Sequence, residues 1–342
     1  MSFHVKNAEG IRGFAVLNVL VLHAFVGFFS ATRPYLGATG QFAVWTFFIL
    51  SAFLLSLKFI AKGVSIESTV EYFVGRFFRI IPIFYLTAIV YYAFGFMDYK
   101  KLLAVMSLQD LFLHLWTIPI EFRFYLMIPI ICLVCNVITK KYGWPCCVIF
   151  ILLSVAVHQL IYPYTNLNIK LTLRWYYPVF AYGVAISYIV ANSSVKFSNN
   201  QALTIVAICI ILCVMSTGGI ASLLTGRNLP FWNSDKFVFI GLILALFVYV
   251  VSNCSGVINT VFDSKFLNFF GKCSFSIYLC HMGIVMRMSE KWPESIYMFC
   301  LSLVISTVIG YLMFLLVESP IERFRHRFVS RYKSTQKNSV SE

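Results

Sequence analysis

Charged residues are scarce in this chain. Asp, Glu, Lys and Arg make up 12% of its 342 residues, where a soluble domain carries about 25%. Acids are scarcer still, 13 against 27 bases, for a net charge of +14. Low charge with a mean hydropathy of +0.84 and 60% hydrophobic residues excludes an ordinary soluble enzyme and describes a polytopic membrane protein. In a soluble protein the acid deficit would suit nucleic acid. Here no aromatic-basic stripe lies outside the hydrophobic segments, and the bases fall mainly in short loops, as the positive-inside rule explains, so no nucleic-acid partner is expected. Metal-ligand spacing is also missing. Cys132/Cys135 and Cys209/Cys213 are helix-spaced, but no histidine accompanies them. They read as small apolar residues, and neither a metal nor a tightly bound cofactor is expected. No small-x-small cleavage site follows the first apolar run, which therefore reads as a retained span rather than a signal peptide.

A span needs about 20 mostly apolar residues. Ten segments qualify: 11–30, 41–58, 77–97, 117–138, 144–161, 172–191, 202–220, 237–253, 273–289 and 295–317. The expected fold class is all-α, a bundle of about ten transmembrane helices. Basic residues concentrate in loops on the N-terminal side, among them Lys62, Arg76, Arg79, Lys140, Lys141 and Lys272, which predicts both termini on the cytoplasmic face. Residues 1–320 form the membrane domain, and 321–342 form a basic cytoplasmic tail, disordered beyond about Lys333. The partly apolar loop 98–116 lies along the outer interface or re-enters the protein. The outer loop 221–236, with Gly226, Pro230 and Trp232, is placed to cover a site mouth.

Against this apolar background the ionisable residues stand out, because such groups inside a membrane are costly and mark function. Arg12 and His23 share the first segment. Eleven residues apart on a helix, they point from one face, about 16 Å apart along the axis. Arg12 reads either as a snorkelling interfacial arginine or as a ligand-binding one. Neighbouring Gly13 admits close approach of a backbone or a ligand. His23 reads either as a neutral buried histidine or, beside Asn18, as a base in a water-accessible cavity. In G-R-F-F-R-I-I-P, Arg76 and Arg79 share a helix face. Such a pair anchors topology or binds phosphate bidentately. In L-W-T-I-P-I-E-F-R-F-Y, Glu121 and Tyr125 lie one turn apart with Arg123 directed elsewhere, behind the aromatic Trp116. Glu121 is placed to orient a histidine, bind a sugar hydroxyl or hold an arginine. In C-S-F-S-I-Y-L-C-H, Ser274, Tyr278 and His281 form one polar stripe, facing neighbouring helices or a cavity. Glu318 in V-E-S-P reads as a structural partner of a cytoplasmic arginine.

Taken in order, these segments resemble the membrane acyltransferase-3 family over about residues 8–322. The resemblance rests on Arg12-Gly13, Ala15 and His23; on Phe47-Phe48, Leu50-Ser51-Ala52-Phe53; and on Arg76, Arg79-Ile80 and Pro82. It continues through Trp116-Thr117, Glu121 and Phe124-Tyr125; Ser274-Phe275-Ser276, Tyr278-Leu279 and His281; and Glu318-Ser319-Pro320. Alanine at 52 replaces the family's glycine. The acid or histidine that often precedes the second motif is missing from Phe42 to Thr46, so nothing there orients His23. With no fused esterase-like domain, the chain resembles the stand-alone form.

The resemblance implies a membrane O-acyltransferase of a bacterial cytoplasmic membrane. It would move an acyl group, usually acetyl, from cytoplasmic acyl-coenzyme A to a hydroxyl of a surface glycan or its lipid-linked precursor. Arg12, Arg76 and Arg79 would bind the donor's phosphates. His23 would be the base, with His281 a second candidate base and Glu121 a catalytic carboxylate. Trp116, Tyr125 and Tyr278 would line the acceptor. The alternative is a glycan or small-molecule exporter, which would not require His23 and would not bind coenzyme A.

Overall fold

The computed structural model describes residues 5–110, 112–163, 173–229, 232, 236–325 and 327–328. Among these the regular elements are helices, with one isolated backbone bridge between Phe197 and Cys254. Every expected hydrophobic segment is helical. In chain order the elements are α1 (Ala8–Phe28), α2 (Gly40–Lys62), α3 (Ile66–Ala93), α4 (Tyr99–Met106), α5 (Thr117–Tyr142), α6 (Trp144–Ile161) and α7 (Leu173–Asn192). There follow α8 (Asn199–Met215), α9 (Gly218–Thr225), α10 (Phe237–Ser252), α11 (Val257–Phe262), α12 (Lys265–Lys272), α13 (Ser274–Lys291) and α14 (Ile296–Met313). Among the described residues, six helices are long and apolar enough to cross a membrane, or up to eight if two bent pairs each count as one span. The pairs are α8 with α9, bent by 70°, and α12 with α13, bent by 75°. Leu173–Asn192 and the shorter Phe237–Ser252 fall outside that set. The architecture is that of a polytopic helical bundle. Large apolar side chains such as Leu153, Leu160, Ile211, Val304 and Leu316 face outward, as lipid contact requires and water does not.

Two departures from the expected boundaries have local causes. The third helix starts at Ile66 rather than 77. Ser65 caps it, its hydroxyl accepting from the Ser68 N–H while Ser68 Oγ accepts from the Ser65 N–H. The mixed stretch 66–76, broken by Glu67, Ser68, Thr69, Glu71 and Arg76, is thus helical without being a continuous apolar run. The last helix runs past Met313 through a π turn, Phe314–Glu318, and continues to Arg325, across the expected boundary at 320. Phe78 of α3 holds that extension, with ring centroids 5.9 Å from Phe324 and 6.4 Å from Phe328. The disorder expected beyond Lys333 falls outside the described residues, as do Pro230 and 233–235 of the outer loop.

α1 is the central helix. It packs against α12, α13 and α2. Gly13 settles one question left by the sequence: a Cβ there would lie 2.0 Å from the Leu267 carbonyl oxygen. The glycine therefore admits a neighbouring backbone, and this crossing fixes the side of α1 that carries Arg12. Behind the site, Phe48, Phe180 and Phe124 of α2, α7 and α5 stack in sequence, 4.5 and 4.1 Å between centroids. Such pairs add about 0.5–1.5 kcal/mol each beyond area burial. The alanine at 52 fits because α7 carries the small residue: a Cβ on Gly183 would lie 2.8 Å from the Ala52 Cβ.

Candidate active site

Two cavities lie end to end inside the bundle. One holds the histidines. It has a volume of about 230 Å³ and is lined by His23 and Leu22 of α1, Gly40, Gln41 and Val44 of α2, His114, Trp116, and Tyr278 and Met282 of α13, among others. His23 Nδ1 lies 2.9 Å from His281 Nε2, with the two rings nearly parallel. His281 is fully buried, and its Nδ1 lies 2.7 Å from the Tyr278 carbonyl oxygen and 3.2 Å from that of Ile277. A carbonyl only accepts, so His281 Nδ1 carries the proton. In a neutral imidazole Nε2 is then the acceptor, and His23 Nδ1 must be the donor. The chain of bonds leaves His23 Nε2 with its lone pair free. Beside it stands Gly40, where a Cβ would come within 3.0 Å of Nε2.

A third histidine joins this pair. His114 lies on the segment between α4 and α5, 4% exposed, its ring centroid 4.9 Å from that of His281. Its Nε2 donates to the Leu279 carbonyl oxygen at 3.0 Å, and its Nδ1 is buried with no hydrogen-bond partner. Gln41 Oε1, on another residue lining this cavity, is likewise buried and unpartnered. Tyr278 pins the His114 backbone, donating its hydroxyl to the His114 carbonyl at 2.7 Å, with Thr117 Oγ1 3.0 Å away. No carboxylate lines this cavity among the described residues.

The second cavity is narrower, about 70 Å³, and holds the arginines. Arg12, Arg76 and Arg79 line it with Ser51, Glu121, Tyr125, Ser274 and Tyr278. Tyr125 donates to Glu121, and the Arg76 guanidinium lies over the Tyr125 ring, 5.8 Å from its centroid. Tyr278 and Val44 line both cavities.

Residues 5–317 match the family described as Acyltransferase domain, nearly the whole chain. This chain belongs to that family. Among curated proteins and among solved structures, nothing matches. The protein is accordingly a multi-pass membrane acyltransferase.

In this acyltransferase the expected site residues fall into two groups. His23, His281, Trp116 and Tyr278 gather at the histidine cavity; Arg12, Arg76 and Arg79 gather at the other. Glu121 and Tyr125 line the arginine cavity, whereas Trp116 lines the histidine cavity. The reason is the 98–116 loop. Its first half is the amphipathic α4, and its second half re-enters the bundle, so α5 starts beside buried His114 and Glu121 sits one turn further in. Asn18 does not border the histidine cavity either: it donates to the Phe14 carbonyl and lines a separate apolar cavity of about 370 Å³. Arg123 points away, to the Leu108 carbonyl. Glu318 accepts from Ser276 Oγ at 2.6 Å and forms no ion pair among the described residues. Sequence reasoning passed over His114. Its only signal was a histidine two residues before the Trp116 motif, inside a segment read as a loop.

Proposed function

We propose that this acyltransferase moves an acyl group, acetyl by family frequency, from acyl-coenzyme A to a hydroxyl of a surface glycan or its lipid-linked precursor. The setting is a bacterial cytoplasmic membrane with both termini inside. The observation that carries the reading is the unengaged Nε2 of His23, in a cavity that shares Tyr278 and Val44 as walls with a triple-arginine cavity. The donor's phosphates lie against Arg12, Arg76 and Arg79, which bind phosphate oxygens by charge-assisted bonds. The thioester reaches past Tyr278 toward His23. His23 Nε2 takes the proton from the acceptor hydroxyl as its oxygen forms a bond to the thioester carbonyl carbon. The C–S bond breaks, and the coenzyme A thiolate recovers the proton from the imidazolium. If Nε2 itself carries the acyl group for part of the cycle, protein incubated with radiolabelled acetyl-coenzyme A but no acceptor becomes labelled at His23; direct transfer leaves it unlabelled.

The other residues support this step. His281 is a positioning residue, because its Nδ1 is engaged by the Tyr278 carbonyl oxygen and its Nε2 by His23. Glu121 orients Tyr125 and offsets charge among the arginines. The unpartnered Nδ1 of His114 and Oε1 of Gln41 accept hydrogen bonds from further hydroxyls of the acceptor, which suits a carbohydrate, and Trp116 supplies a face for a sugar ring.

The test uses His23→Ala expressed in a strain deleted for the native protein. Mass spectrometry of the surface glycans should show the acetyl increment missing while protein level is unchanged. A glycan profile identical to wild type would overturn the assignment. Failure of the purified protein to bind coenzyme A would favour the exporter.

A further inference from the structure

A third cavity, about 60 Å³, borders the arginine cavity on the side away from the histidines, and Arg76 lines both. Three more cations and one carboxylate, Glu71, face it. Lys58 and Lys62 lie one turn apart on the last two turns of α2, and Arg325 comes from the C-terminal extension of α14. Gly75 makes room for that arginine: a Cβ there would lie 3.1 Å from Arg325 Nη1. Two of the cations are engaged by carboxylates. Lys62 Nζ binds both Glu71 oxygens at 3.1 Å, and Arg325 Nε donates to Glu322 at 3.0 Å. Lys58 has no hydrogen-bond or ion-pair partner among the described residues. With Lys62 paired to Glu71, Lys58 is left as an exposed charge on this wall with no carboxylate of its own, available to an anion.

Two cationic cavities joined at one arginine fit a ligand with two separate anionic groups. Coenzyme A is such a ligand: a diphosphate joins its pantetheine to the nucleoside, and a separate 3′-phosphate sits on the ribose. Building on the donor assigned above, we infer that the Lys58 cavity is the subsite for the 3′-phosphate of acyl-coenzyme A. Lys58 is its main contact, and Arg76 is shared with the diphosphate. The docked C-terminal extension thereby becomes part of the donor site through Arg325. The enzyme would distinguish coenzyme A from donors that lack the 3′-phosphate.

Isothermal titration of the purified full-length protein, in phosphatidylcholine nanodiscs, with coenzyme A and with 3′-dephospho-coenzyme A tests this. Wild type should bind coenzyme A about tenfold more tightly, the worth of one charge-assisted phosphate contact. Lys58→Met should bring the two affinities together by weakening coenzyme A alone, and Lys58→Arg should keep them apart. Equal affinities in wild type, or equal weakening of both ligands in Lys58→Met, would overturn the subsite while leaving the donor assignment standing. Binding of neither ligand would remove the donor assignment itself and the subsite with it. A Lys58→Met protein that keeps the coenzyme A preference but loses phosphatidylglycerol in native mass spectrometry would assign the cavity to a lipid headgroup instead.

Discussion

The two cavities are built on different physics. At one end three arginines crowd a cavity of about 70 Å³, with Glu121 as the only acid lining it among the described residues. At the other, a cavity of about 230 Å³ holds neutral side chains, and no carboxylate lines it among the described residues. The arginine end works by charge. On the proposed reading it holds the donor's phosphates through charge, and salt weakens that hold in proportion to its solvent access. The histidine end works by geometry, with backbone carbonyls of α13 deciding which nitrogen of each ring holds the proton. Where the family often has an acid or histidine before Phe47, this chain has none, and a carbonyl does the orienting through His281. A carbonyl introduces no buried negative charge, so His23 gains a fixed tautomer without an ion pair in an apolar setting. Tyr278 lines both cavities and ties His114 in place, which makes it the joint between the two kinds of site.

Substitutions should separate the ends. His23→Ala is expected to lower acyl transfer by roughly 10²–10⁴, the usual worth of a general base. Coenzyme A affinity should stay within about twofold of wild type. Both are readable from coenzyme A release and titration on one preparation, and joint loss of transfer and binding would merge the two ends. His281→Ala should leave donor affinity alone and lower turnover by about 10–100-fold, the range for removing a group that orients another. The pH profile should change as well, because either nitrogen of His23 could then carry the proton. An unchanged profile would reduce His281 to packing.

Much of the arrangement was legible before the coordinates, and the exceptions have physical causes. Apolar runs of spanning length announced each helix, and the 144–161 segment coincides with Trp144–Ile161. Their helical character follows from hydropathy, but the bends do not: the 75° turn between Lys272 and Ser274 is set by α12 lying across α1 at Gly13. Arg12, Arg76 and Arg79 were recognisable as a cluster because charge in an apolar segment is conspicuous. His114 was not, because its importance lies in a tertiary contact with Leu279 and in the re-entry of a segment with no periodicity of its own. The same re-entry sets Glu121 and Tyr125 among the arginines, apart from Trp116.

The charge-based end should respond next. Arg76→Ala is expected to weaken coenzyme A about tenfold, as loss of a charge-assisted phosphate contact does. The loss should shrink in high salt, and titration at two ionic strengths would show it; a salt-independent loss would mean that Arg76 supports structure rather than the ligand. Tyr278→Phe should have the smallest effect, about threefold to tenfold on turnover, from one lost hydrogen bond to the His114 carbonyl. Because that residue lines both cavities, a change confined to donor affinity would contradict its place as the joint.

The most direct test of the account is the protonation pattern of the histidine rings in the resting enzyme. Solid-state NMR of protein labelled with ¹⁵N-histidine in bilayers, with His23→Gln, His114→Gln and His281→Gln proteins for assignment, reads each nitrogen separately. The hydrogen bonds require His23 and His281 protonated at Nδ1 and bare at Nε2, and His114 protonated at Nε2 and bare at Nδ1. A proton on Nε2 of His23 would leave that ring no lone pair facing the cavity and would contradict its place as the base.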